Sequence, residues 1–359
     1  MSELSEKIIV KEITELLDVS DFLLDGFGHD SAFIDTTILE DEILLMNTDR
    51  SGINSAYILG LSDGECVGDF GVSHAVSDII ASGGQPIAIS IALLLPNSLT
   101  LGFVKQVMIG AEKAAKKYGA FLAAGDTKKN SKFAMVVTVV GKAKKEERLT
   151  RSKAKDGDIL VVTGYLGRMF SGQVAFKNNF NISREEKDVF QNALIYQNPP
   201  YKLGLKMAKE KIATSCTDIS DGLSSSIYDL CNASDLGAII DESKIPIDSS
   251  SLKIAKLLNI RAMQLTFAGG DWEYLYTVPK EYKDRLSYLA KEFDIPITII
   301  GEIIKEKIVG VKTLEKKYKI LKRIENDKFS KLDGKSYFEM LEQKIDFFGE
   351  EFKYLEDKS

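Results

Sequence analysis

The sequence predicts a mixed α/β protein of two domains, and three observations carry that reading. The chain has 359 residues, 44% of them hydrophobic, enough for two separately buried cores. Short apolar runs of strand length alternate with segments whose apolar residues recur at helical spacing. A charged stretch, residues 142–158, interrupts this alternation once and divides it into two series.

In the first series the spacing predicts strands at Ser31–Ile34, Ile43–Thr48, Ile87–Leu95, Phe121–Ala124 and Met135–Val140. Helices are predicted at Ile8–Leu17, Asp69–Ser82 and Leu101–Tyr118. The last ends in Lys116 and Lys117 followed by Gly119, a favourable C-terminal arrangement. The second series opens with a strand at Ile159–Thr163 and continues with strands at Gly237–Ile240, Leu265–Ala268, Tyr274–Val278 and Ile297–Ile300. Domains are therefore expected over 1–147 and 148–320. A charged extension, 321–359, has apolar residues at helical spacing and is expected to pack as a helix.

Bulk properties exclude several classes. The 47 basic and 53 acidic residues give a net charge of −6, and no basic cluster with interleaved aromatics suggests a nucleic-acid surface. The longest apolar stretch, Ile87–Pro96, is too short to cross a bilayer. The first residues lack the pattern of a signal peptide. Cys66, Cys216 and Cys231 are few, odd in number and widely spaced, which points to packed thiols in a reducing, cytoplasmic setting.

The chemistry lies in six short motifs bearing Asp and Gly. They are GHDSAFID (28–35), NTD (47–49), SHAVSDIIASGG (73–84), AAGDT (123–127), TDISDGL (217–223) and AGGDWEYLYT (268–277). Each sets a carboxylate at a chain reversal, often beside a glycine that lets a ligand approach the backbone. A single Asp there is an ordinary turn former or helix cap. Six carboxylates gathered at one end of a sheet would repel one another unless cations bridge them. Oxygen donors with few His and no Cys cluster suit magnesium better than zinc. Asp78 sits within an apolar helical pattern, where a charge requires a partner. No Walker motif and no protein-kinase catalytic loop is present, and the GFGHDS run has Ser31 where the dinucleotide pattern requires Gly. Nucleotide phosphates would then be held by metal ions and loop amides.

Together these motifs resemble the thiamine-monophosphate kinases, within the superfamily of aminoimidazole ribonucleotide synthetase and selenophosphate synthetase. The likeness runs from about residue 25 to 305 and includes LTRSKAKDGDILVVTGYLG (149–167) and IIGEI (299–303). It implies a two-domain synthetase-like fold with an α/β sandwich as its second domain. It also implies a homodimer whose first domains pair into a β-barrel. Asp30, Asp49, Asp78, Asp126 and Asp218 are implied as magnesium ligands, with Asp221 as a further one, and Thr48 lends an oxygen. Gly125, Ser220 and Arg151 are implied at the nucleotide, Arg151 at its phosphates. Asp78, Asp126 and Arg151 are the implied catalytic groups, and Mg2+ and ATP the cofactors.

The chain departs from the family on the acceptor side. The family's paired Asp of the first motif is here His29-Asp30. The segment after Asp49 reads RSGINSAY, with Arg50 and Asn54 where the family carries a histidine. The late Gly-Gly-Glu-Asp is one residue short at Gly269-Gly270-Asp271. Arg50, Asn54 and Asp271 thus become the acceptor-side candidates, and the expected acceptor is a small anionic molecule other than thiamine monophosphate. Two other chemistries use the same residues: ligase-like activation of an amide or carbonyl oxygen by ATP, and an ATP-independent dinuclear hydrolase built on His29, Asp30, Asp49, His74, Asp78 and Asp126.

Overall fold

The computed structural model describes residues 15–20, 23–24, 33–34, 42–324 and 339–354. The chain divides into two compact units, one of residues 1–148 with 195–201, the other of residues 149–194 with 202–359. Most of the helix expected at Ile8–Leu17, and with it His29 and Asp30, lies outside the described residues.

A pair of two-residue strands, β1 (Leu23–Leu24) and β2 (Phe33–Ile34), is antiparallel. The main sheet of the first unit has four strands: β3 (Glu42–Ser51), β4 (Gln85–Leu95), β5 (Phe121–Lys129) and β6 (Ala134–Lys144), in the order β3-β6-β4-β5. β4 and β5 are parallel; the other pairs are antiparallel. A one-turn helix, α1 (Ser55–Ile58), precedes the long α2 (Gly64–Ala81), and α3 (Leu101–Lys117) joins β4 to β5. Asp63 caps α2 by accepting from the Glu65 amide at 3.0 Å, and Thr100 caps α3 through the Phe103 amide at 3.1 Å.

One side of this sheet is closed by helices. Ile89, Ile91, Val137 and Val139 are buried beneath α2 and α3. The two helices meet at glycines, because a Cβ on Gly68 would lie 1.8 Å from the Val107 carbonyl oxygen and one on Gly110 1.9 Å from that of Glu65. The other side is open. On β3, Leu44 is 58% exposed and Met46 76%.

Segment 195–201 crosses onto the first unit. Its Asn198 Oδ1 accepts from the hydroxyls of Ser73 (3.3 Å) and Tyr118 (3.4 Å), and the Tyr201 ring meets Tyr118 edge-on.

The second unit is built on eight strands in the order β14-β13-β12-β9-β11-β7-β10-β8. They are β7 (Ile159–Thr163), β8 (Ser215–Asp218), β9 (Gly237–Asp241), β10 (Tyr274–Val278), β11 (Ile297–Ile304), β12 (Val309–Lys312), β13 (Tyr318–Leu321) and β14 (Phe348–Phe352). Only β9 and β12 run parallel. The helices are α4 (Arg168–Lys177), α5 (Arg184–Ile195), α6 (Tyr201–Lys209), α7 (Leu223–Ser234), α8 (Ser249–Leu258) and α9 (Lys283–Phe293). Phe170, Val174, Leu223, Ile227, Leu230 and Ile254 pack with Leu160, Val162 and Ile300 of the sheet in one core.

Two expectations fail here. Residues 262–267 form a 3-10 helix rather than a strand. In the extension expected to be helical, the described residues are helical at 339–341 and then add strand β14 to the sheet edge. Gln264, fully buried, anchors that segment: its Nε2 donates to the carbonyls of Leu341 (2.7 Å) and Gln343 (2.6 Å), and its Oε1 accepts from the Ile345 amide (3.2 Å). No described helix is long and apolar enough to cross a membrane. Cys66, Cys216 and Cys231 are buried and unpaired with one another.

Candidate active site

In the first unit the carboxylates sit on two facing elements. Alternation along β3 turns Asn47, Asp49 and Ser51 toward α2 and leaves Thr48 and Arg50 on the open side. Within the helix, Ala75, Val76, Ser77, Ile79 and Ile80 are buried while His74 and Asp78, one turn apart, are only half-buried. These two face the polar edge of β3. Asn47 Nδ2 donates to Asp78 Oδ2 at 2.7 Å and to the Ala75 carbonyl at 3.2 Å. His74 Nδ1 lies 3.7 Å from Asp49 Oδ2, its ring packed against Phe70. Asp49 also accepts from the Arg50 amide at 2.6 Å.

Asp126 belongs elsewhere on the sheet. Register aligns Arg50, Val136, Ala92 and Asp126 in one row, so Asp126 shares the open side with Arg50 rather than the helix side with Asp49. Three strand spacings put β3 and β5 roughly 14 Å apart. Asp126 is exposed and accepts from the Thr127 amide at 2.8 Å, beside exposed Gly125. Thr48 Oγ1 bonds Thr138 Oγ1 across the open side at 2.9 Å. Among the described residues, no three His, Cys, Asp or Glu side chains stand close enough to hold one ion. The structure thus sets Asp49 against His74 and Asp78 against Asn47 across the β3–α2 face, and turns Asp126 to the opposite side of the sheet.

The second unit carries the other motif residues. Asp218 ends β8, buried, and its Oδ1 accepts from Ser220 Oγ at 3.3 Å. Asp221 is exposed at the turn into α7. That turn is pressed against the late glycine block. A Cβ on Gly222 would lie 2.1 Å from the Phe267 carbonyl oxygen, and one on Gly269 2.0 Å from that of Ser220. Arg151 is half exposed, its Nη1 3.9 Å from Asp229.

Two of the acceptor-side candidates are occupied by the fold. Asn54 is buried and caps α1, accepting from the Tyr57 amide at 3.1 Å and donating to Cys66 Sγ at 3.1 Å. Asp271 caps α4: its oxygens accept from the amides of Gly167 (2.6 Å) and Met169 (2.9 Å). Desolvation pushes its carboxyl up to about 6, against the pull of those amides. Arg50 alone of the three is exposed.

Sequence reasoning passed over Glu273. Its Oε2 accepts from Thr163 Oγ1 at 2.6 Å, and its Oε1 lies 1.9 Å from where a Cβ on Gly164 would stand, a glycine whose φ of +60° disfavours side chains. Desolvation, with Asp271 nearby, raises this carboxyl to about 7. A clue was its place at the mouth of a fully buried strand, where a carboxylate is out of keeping. Trp272, Tyr274 and Tyr276 are buried packing residues.

Comparison with known proteins agrees with the motif reading. The family AIR synthase related protein matches through its N-terminal domain at residues 28–143 and its C-terminal domain at 155–313. The thiamine-monophosphate kinase of Buchnera aphidicola is 31% identical over 280 residues, 77% of this chain and 84% of that one. The Bacillus subtilis thiamine-monophosphate kinase is 31% identical over 281 residues, 77% and 85% of the two chains. Among solved structures, the thiamine-monophosphate kinase of Stenotrophomonas maltophilia superposes with a TM-score of 0.74 at 23% identity, covering 87% of this chain and 96% of that one. The hydrogenase maturation protein HypE of E. coli reaches 0.75 at 19% identity, covering 90% and 99%, a likeness of fold. AaThiL complexed with AMPPCP and TMP reaches 0.65 at 25% identity, covering 87% and 94%. With both domain families matched in order and these relatives spanning most of its length, the chain belongs to the AIR synthase related family, among its thiamine-monophosphate-kinase-like members.

Proposed function

We propose that the protein is an ATP- and magnesium-dependent phosphotransferase that moves the γ-phosphoryl group of ATP onto a small anionic acceptor. The observation that carries this is the placement of Asp49 on β3, against His74, and of Asp78 on α2, against Asn47, along one strand–helix face, in a chain whose relatives are kinases of a phosphorylated metabolite. A solved relative complexed with an ATP analogue and TMP supports the choice of nucleotide.

The residues present fit a hard cation: the donors are carboxylate oxygens, and the three thiols are buried. We assign Asp49 and Asp78, with Asp30, Asp126, Asp218 and Asp221, as the residues that hold magnesium, Thr48 adding an oxygen. The ion they would hold would supply positive charge against the triphosphate; in the transfer itself the bond from the γ-phosphorus to the ADP oxygen breaks as the acceptor oxygen bonds to that phosphorus. Gly125 leaves its backbone open to the nucleotide, Ser220 offers its hydroxyl, and Arg151 offers its guanidinium to the phosphates. Arg50, exposed on the open side of the sheet, is assigned to an anionic group of the acceptor. An acceptor that is already an anion needs no strong general base.

The exposed apolar side bearing Leu44 and Met46 supports a homodimer in which a second copy covers it. Asp126 and Arg50 lie on that same side, so the second copy adds its surface to theirs.

Asp78→Asn and Asp126→Asn are each expected to lower ATP turnover at least ~100-fold, removing about 3 kcal/mol of transition-state stabilisation, with unchanged circular dichroism. Near-native turnover in both variants defeats the assignment. The acceptor is sought by thermal shift and ADP release over phosphorylated and carboxylated metabolites with Mg-ATP, thiamine monophosphate among them.

A further inference from the structure

Two polar residues between β3 and α2 take no part in the ligand set assigned above. Asn47 stands two residues before Asp49 on the same side of the strand. His74 stands one turn before Asp78 on the same side of the helix. The pairing runs crosswise: the strand's Asn47 holds the helix's Asp78, and the helix's His74 lies against the strand's Asp49. Asn47 does more than touch a carboxylate. Both of its amide hydrogens are directed at α2, one to Asp78 Oδ2 at 2.7 Å and one to the Ala75 carbonyl at 3.2 Å. The second bond ties the amide to the helix backbone, so the first fixes the rotation of the Asp78 side chain.

We propose that Asn47 is a positioning residue for the cation: it holds Asp78 in one orientation from which the carboxylate can meet the ion. This rests on the phosphotransfer reading and deepens it. The physical argument is one of preorganisation. An aspartate on an otherwise buried helix turn can rotate toward solvent about two side-chain bonds, and each freed rotation weakens chelation. A neutral donor bonded to one oxygen fixes the rotamer without cancelling the charge that attracts the ion, as partners behind a metal ligand commonly do. A lysine in the same place would fix Asp78 but oppose the cation. An aspartate would repel it. The asparagine amide meets both requirements and reaches the helix backbone as well.

The test is the magnesium dependence of thermal stabilisation in the presence of a non-hydrolysable ATP analogue, followed by ATP turnover at limiting and saturating magnesium. Asn47→Ala is expected to need about tenfold more magnesium for half-maximal stabilisation. Its turnover should fall at limiting magnesium and recover to within about threefold at saturation. If Asn47→Ala does not fold, Asn47→Ser, which keeps a shorter hydrogen-bonding group, is measured the same way and is expected to shift in the same direction. A lower melting temperature without the ion, combined with an unmoved magnesium midpoint, would mean that Asn47 only supports the fold, and overturns the inference alone. A native protein with no magnesium-dependent stabilisation overturns the phosphotransfer reading and this inference together.

Discussion

Replacing Glu273 by glutamine should flatten the pH dependence of the second unit's stability. Burial of the carboxyl beside Thr163 and Asp271 raises it from an ordinary 4.5 to about 7. Between those values the folded chain holds a proton that the unfolded chain has released. Stability therefore declines as pH climbs through that window and levels off above 7. A displacement of that size corresponds to roughly 3 kcal/mol. Because the side chain is only half-buried, water screens part of it, and about 2 kcal/mol is the expected loss between pH 4.5 and 7. Glutamine is close in shape, accepts the same Thr163 bond and does not titrate. Below pH 4.5 the variant should match the native protein; at pH 8 it should be more stable by about 2 kcal/mol. Urea unfolding at pH 5, 6, 7 and 8 measures this, read by fluorescence. The chain's single tryptophan, Trp272, is buried next to the substituted residue and reports on this unit. A native midpoint that does not fall between pH 5 and 8, or a variant that keeps the native slope, would refute the reasoning.

Two further substitutions probe the scaffold. Gly68→Ala drives a methyl into the Val107 carbonyl, 1.8 Å away; helix separation is then forced, and a loss of at least about 2 kcal/mol is expected in chemical denaturation. Gln264→Ala strands two carbonyls and one amide inside the second unit. At about 1 kcal/mol or more for each group, it should cost roughly 3 kcal/mol and expose residues 339–354 to protease.

Much of this architecture is legible in the sequence. β3, β4, β5 and β6 were marked by alternation or by continuous apolar runs, and β7 and β10 agree with the sequence reading at both ends. The run at 265–268 misled because a short apolar stretch does not distinguish a strand from a buried turn. Here Thr266 Oγ1 bonds the Met263 carbonyl at 2.8 Å and closes a 3-10 turn instead. Residues 348–352 have helical spacing, yet the unpaired edge of β13 offers a full set of backbone partners, and that tertiary pairing prevails. In the site, Asp49 and Asp78 stood out as carboxylates at strand ends and in an apolar helix. Asn47 did not, because its meaning depends on which helix residue lies across from it. Asn54 and Asp271 were chosen for their motifs, but a polar side chain at a loop's end serves equally well as a helix cap, and both do so here.

The position of β14 bears on how the chain is made. The strands leave the ribosome from β7 onward, but the sheet's outer rim is finished by residues 348–352, synthesised after every other strand of that sheet. Until they emerge, β13 presents an unpaired row of amides and carbonyls, and Gln264 lacks its partners. A nascent chain that lacks β14 is therefore adhesive along that rim, and chaperone occupancy before residues 348–352 emerge should be greatest there.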